Sequence, residues 1–118
     1  MQPIRIVLAA PPARLRAVVR EALAGRPDLV IVGEPGGEVD LLLGAERADV
    51  VILGETAVAS CVAERLLDEY PKLVVIVIDV RAERGRLYRL GPHVTQLDGV
   101  TPEGLASAIR LVTADLPI

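Results

Sequence analysis

The chain of 118 residues has no phenylalanine and no tryptophan, and its only aromatic side chains are Tyr70 and Tyr88. A base-stacking platform for single-stranded nucleic acid is therefore not expected. Cys61 is the sole cysteine, which excludes an internal disulfide and a cysteine-based zinc site. His93 is the sole histidine, so a multi-histidine metal site is excluded and a Ser-His-Asp triad is disfavoured. Lys72 is the sole lysine and lies in no G-x-x-x-x-G-K-[ST] motif, which removes P-loop chemistry. A basic excess is missing too: thirteen Lys and Arg face sixteen Asp and Glu, a net charge of -3. A protein that binds by neutralising phosphates normally carries the opposite balance. The apolar run Leu73 to Ile78 is far shorter than the ~20 residues of a membrane span. The opening Met-Gln-Pro-Ile-Arg-Ile has no secretory pattern. The expectation is a cytoplasmic domain that contacts neither membrane nor nucleic acid.

What is present is apolar. Hydrophobic residues make up 52% of the chain and charged residues 25%, enough apolar surface to offset the ordering entropy of one domain over 1–118. Short apolar runs alternate with helical stretches. Ile4–Leu8, Leu29–Val32, Val50–Leu53 and Leu73–Ile78 read as strands, and Val94–Leu97 as a fifth, more polar one. The first four are nearly continuous in β-branched residues and leucine, as strands buried on both faces are.

Between them, Leu15, Val18, Val19, Ala22 and Leu23 form a stripe at helical spacing, stopped by Gly25 and Pro27. Val39, Leu42 and Leu43 suggest a shorter helix, and Val58, Cys61, Val62 and Leu66 a third that ends before Tyr70-Pro71. Leu105, Ala108, Ile109 and Val112 form the last, with Thr101 at the N-cap and Pro102 at the first helical position. Residues 82–90 are expected to be helical on Leu87, Tyr88 and Leu90, although Gly85 lies inside. The order is β-α five times. Right-handed crossovers then put helices on both faces of one sheet, an α/β fold with a doubly wound five-stranded parallel sheet, for which 2-1-3-4-5 is a common order, with the polar fifth strand at an edge.

Binding or catalysis in such a sheet sits at the carboxyl ends of the strands. The first such turn reads Leu8-Ala-Ala-Pro-Pro-Ala13, without glycine and with two prolines that lack N–H donors, which argues against a dinucleotide. Gly33-Glu-Pro-Gly-Gly37 reads as a plain turn rather than a phosphate cradle.

Taken in order, several segments resemble the receiver domain of bacterial response regulators, in the subgroup fused to helix-turn-helix output domains. Ile4-Arg-Ile-Val-Leu-Ala9 resembles the opening strand, Arg26-Pro-Asp-Leu-Val-Ile-Val-Gly-Glu34 the second strand and its turn, and Ala48-Asp-Val-Val-Ile-Leu53 the strand before the phosphoacceptor. Thr101-Pro-Glu-Gly-Leu105 and Ala108-Ile-Arg110 resemble the last helix. The resemblance covers essentially the whole chain and implies the flavodoxin-like fold already expected. It also implies a stand-alone adaptor or the receiver part of a longer transcription regulator.

The family transfers a phosphoryl group onto an aspartate, with acidic residues that hold Mg²⁺ and with a hydroxyl and a lysine that contact the phosphoryl oxygens. Here the resemblance puts Ala10 and Pro11 at the acidic pair, Gly54 at the acceptor, Asp79 at the hydroxyl and Asp98 at the lysine. It therefore implies a degenerate, pseudo-receiver domain: no enzyme, no cofactor, and a phosphorylation-independent signalling module that works as a homodimer or through an effector protein. Glu55 lies one residue beyond the acceptor position, and a one-residue step in a strand turns the side chain to the other face.

Two alternatives stay open. A small ligand could occupy the degenerate pocket, made less polar by Ala10, Pro11 and Gly54. Or Glu55, Asp79 and Asp98 could converge on a divalent cation and serve a metal-dependent reaction; the plainer reading makes them solvated loop acids near helix N-termini. Cys61 reads as a small buried hydrophobe and His93 as an exposed loop residue. Arg81, Arg84, Arg86 and Arg89 are the densest charge cluster. In the resembled family the fourth helix, fifth strand and fifth helix carry dimerisation; that face would offer Arg84, Leu87, Tyr88, Leu90 and Arg110.

Overall fold

A computed structural model describes residues 3–9, 13–89 and 94–114. The strands are β1 (Ile4–Ala9), β2 (Leu29–Gly33), β3 (Val50–Gly54), β4 (Val74–Asp79), β5 (Arg84–Tyr88) and β6 (Val94–Asp98). The helices are α1 (Ala13–Leu23), α2 (Glu38–Gly44), α3 (Ala59–Glu69) and α4 (Pro102–Ala114), with a 3₁₀ turn at Ala45–Arg47. One mixed sheet has the order β2-β1-β3-β4-β5-β6. The first four strands are parallel; β5 runs antiparallel to β4, and β6 antiparallel to β5.

Successive side chains of a strand point to opposite faces, so each apolar run feeds two layers. Ile6, Leu8, Val50, Ile52, Val74 and Ile76 pack under α1 and α4, against Leu15, Val19, Leu105 and Ile109. Val7, Val51, Leu53, Val75 and Val77 pack on the other face under α2 and α3, against Leu41, Ala63 and Leu66. Val50 to Leu53 and Val74 to Ile78 are buried throughout, as their unbroken apolar sequence requires.

The ends of the helices follow their sequence signals. Gly25 takes φ +71 just after α1, a left-handed conformation that glycine adopts without strain. Thr101 Oγ1 accepts the Gly104 N–H at 3.1 Å and caps α4, with Pro102 at its first position.

The sheet differs from the expectation of five parallel strands. Of the expected helix over 82–90, residues 82–89 are described and are not helical: 84–88 are β5, and the expected fifth strand becomes β6, still at the sheet edge. Leu87 and Tyr88 are adjacent and both buried, one in each core layer, which a strand permits and a helix does not. The turn into β5 is set by Asp79, whose Oδ1 accepts the N–H groups of Arg81 (3.1 Å) and Ala82 (3.3 Å). Glu83 closes it at φ 53. A side chain at Gly85 would bring Cβ to 3.2 Å from the Val77 carbonyl oxygen, so glycine permits the close approach of β4 and β5.

Two helical stripes are also rotated from their expected phase. In α2, Leu41 is buried and Leu42 half-buried, whereas Val39 and Leu43 are 72% and 68% exposed. In α3 the buried positions are Ala59, Ala63, Leu66 and Leu67, while Val58 and Cys61 face solvent. The alanines offer the same spacing and let the helix lie closer to the sheet, so Cys61 is exposed rather than a core hydrophobe. No helix of the described residues is long and apolar enough to cross a membrane.

Candidate functional site

The strand ends define one edge of the molecule. Gly54 closes β3 opposite Ile78, and Asp79 closes β4 opposite Arg84. Arg84 in turn pairs with Asp98, the last residue of β6. Asp79 and Asp98 thus stand two strands apart, about 10 Å at ordinary strand spacing, with an arginine between them. Strand β5 stands between the strands that carry Asp79 and Asp98. Ala10 and Pro11, which the sequence reading also expected at this edge, and Leu90 and His93 lie outside the described residues.

Glu55 follows β3 on the α2–α3 side and meets a partner that the sequence reading missed. Arg86 Nη2 donates to both carboxylate oxygens at 2.6 Å. The same guanidinium donates from Nη1 to Ser60 Oγ of α3 at 3.3 Å and lies 5.6 Å from the centre of the Tyr88 ring. Ser60 Oγ and the Tyr88 hydroxyl share a hydrogen bond at 3.1 Å. Arg86 and Tyr88 are two apart on a strand and so project to the same face. That spacing was the available signal, and the helical reading of 82–90 hid it. The Glu55 and Arg86 side chains are 35% and 28% exposed, so the ion pair adds at most about 1 kcal/mol of stability. Its consequence is positional: the carboxylate that follows Gly54 at the end of β3 is held by a cation.

Asp79 spends Oδ1 on the turn amides. A cleft of about 500 Å³ lies over Gly54, Ile78 and Asp79, flanked by Arg14 of α1 and Arg81 of the turn. Among the described residues no three His, Cys, Asp or Glu side chains are grouped to hold a metal ion.

A second cleft of about 370 Å³ opens on the other face, between α2 and α3. Its floor is Ala9, Leu53 and Gly54, at the point where the strand order reverses between β1 and β3. Ligands in doubly wound sheets occupy this crevice.

The expected interaction face is dispersed. Arg84 is exposed, but Leu87 and Tyr88 are in the core. Arg110, on α4, forms a two-pronged pair with Asp28, both contacts at 2.7 Å. The Arg110 hydrogen bonds hold the Asp28 carboxyl below its ordinary range, and the carboxylate raises the guanidinium in return. Comparison with models of known protein families gives no match, and comparison with curated proteins gives none.

Proposed function

We propose that this chain is a receiver-like regulatory module that acts without phosphorylation and without enzymatic turnover, through contact with a second copy or an effector protein. The observation that carries the reading is the Glu55–Arg86 pair: both carboxylate oxygens next to the acceptor position already accept from one guanidinium. Phosphoryl transfer needs a carboxylate nucleophile that can turn toward the phosphoryl donor and a metal ion held beside it, whereas Arg86 fixes the Glu55 carboxylate in place. Gly54 supplies no nucleophile, and Asp79 is tied into its turn. Phosphorylation of Glu55 would have to disrupt its pair with Arg86, which opposes the transfer.

The fourth helix of the family-like contact face is replaced by the turn into β5, so the contact is not assigned to that face. The test is incubation with acetyl phosphate and Mg²⁺, followed by intact-mass analysis and sedimentation. The expected outcome is an unmodified chain with an unchanged oligomeric state. A stoichiometric phosphoryl adduct abolished by Glu55→Gln would overturn the reading.

A further inference from the structure

We propose that the cleft between α2 and α3 is a binding site for a small, uncharged, largely apolar molecule that carries one N–H or O–H donor. The cleft of about 370 Å³ is within the usual range of small-ligand pockets. It exists because small residues border it: Ala9, Gly37, Gly54 and Ala59 leave space that larger side chains would fill. Leu41 and Leu53 give it apolar walls, and Val58 stands at its mouth, 58% exposed. An apolar hollow of this kind favours an apolar guest.

The polar groups fix the class further. Among the described residues Glu55 is the one charged residue along the cleft and no cation lines it, while the Thr56 hydroxyl beside it already accepts the Val58 N–H at 3.3 Å. Arg86 takes one acceptor position on each Glu55 oxygen, and a carboxylate has about four, so lone pairs remain for a ligand N–H or O–H. No cation among the described residues lines the cleft to receive an anion, and taking an unpaired charge from water into an apolar hollow is costly, so an anion is disfavoured. Binding needs only this cleft, so a ligand and a response to phosphate are separately measurable.

The probe is N-phenyl-1-naphthylamine, a neutral apolar fluorophore with a single N–H, compared with its sulfonate analogue 8-anilino-1-naphthalenesulfonate. Saturable 1:1 binding of the neutral dye is expected, with amide shifts in α2 and α3, and affinity for the sulfonate weaker by about tenfold. Gly37→Leu should cut the neutral dye's affinity by about tenfold or more. At Gly37 an added Cβ meets no atom within 4 Å and the backbone is extended, so the new side chain enters open space. Val58→Gln, at a position 58% exposed where a surface substitution changes stability little, should weaken binding in the same direction. Leu43→Gln, on the outer side of α2, should leave it unchanged. Absence of saturable binding, equal affinity for the sulfonate, or sensitivity to Leu43→Gln with indifference to Gly37→Leu and Val58→Gln would each overturn the proposal.

Discussion

A side chain at Gly85 distinguishes the strand from a helix by the sign of its effect. In a helix, replacing an interior glycine with alanine stabilises by about 1 kcal/mol, and valine also gains a few tenths. In β5, the alanine Cβ lies 3.2 Å from the Val77 carbonyl oxygen, 3.4 Å from Val100 Cγ2 and 3.5 Å from Leu97 Cδ1. The nearest atom is backbone of β4, buried between β3 and β5, and cannot move aside cheaply. Overpacking of this kind costs about 1–3 kcal/mol. Against it stands a gain of about 0.4–1 kcal/mol from the stiffer unfolded chain. Gly85→Ala should therefore destabilise by about 1 kcal/mol, and Gly85→Val, whose methyls enter the space of Val100 and Leu97, by about 2–3 kcal/mol. With a urea slope of about 1–2 kcal/mol per molar, the valine variant should lower the unfolding midpoint by about 1–3 M. A rise in midpoint for both variants would refute the strand and restore the helix.

Other outcomes follow from the packing and the ion pairs. Leu41→Ala should destabilise by about 2–4 kcal/mol and Leu43→Ala by less than about 0.5 kcal/mol; equal losses in urea unfolding would contradict the rotation of α2. Tyr88→Phe removes the hydroxyl shared with Ser60 and should cost about 0.5–1.5 kcal/mol, with the cation–ring contact kept; an unchanged midpoint would argue against that bond. Arg110→Met should raise the Asp28 carboxyl toward its ordinary value, read by carboxyl-detected NMR titration. Because the folded value is depressed, the pair's stabilisation is present above the unfolded value of about 3.9 and is lost as pH falls through the folded value. An Asp28 titration indifferent to Arg110→Met would contradict the pair.

Much of the fold was legible in the chain. Unbroken apolar runs such as Val50–Leu53 and Leu73–Ile78 announce strands covered on both sides, and the observed β2-β1-β3-β4 order is the one common in doubly wound sheets of this length. Gly25, Thr101 and Pro102 mark helix ends by local chemistry alone. Residues 82–90 were not legible, because two apolar neighbours and a glycine in a short segment fit period 3.6 as readily as period 2. Tertiary packing decided it: Leu87 and Tyr88 each find a different core layer. The phases of α2 and α3 were misjudged for a related reason. Alanine carries little hydrophobic signal, yet Ala59 and Ala63 are what permit close docking. At the site, the carboxyl-edge positions of Gly54, Glu55 and Asp79 were foreseen, whereas Arg86 and Ser60 come from distant elements and meet only in the folded chain.

The most direct test of the account is a backbone amide NMR titration with Mg²⁺ and then Mg²⁺ plus beryllofluoride, which mimics an acyl phosphate. If the edge of the sheet is closed to phosphate, the amides of Gly54, Glu55, Asp79 and Arg86 stay in place through both additions. Saturable shifts at those amides on adding beryllofluoride, with the Arg86 side-chain signal moving in step, would show that the Glu55–Arg86 pair opens to a phosphate mimic and would contradict the account.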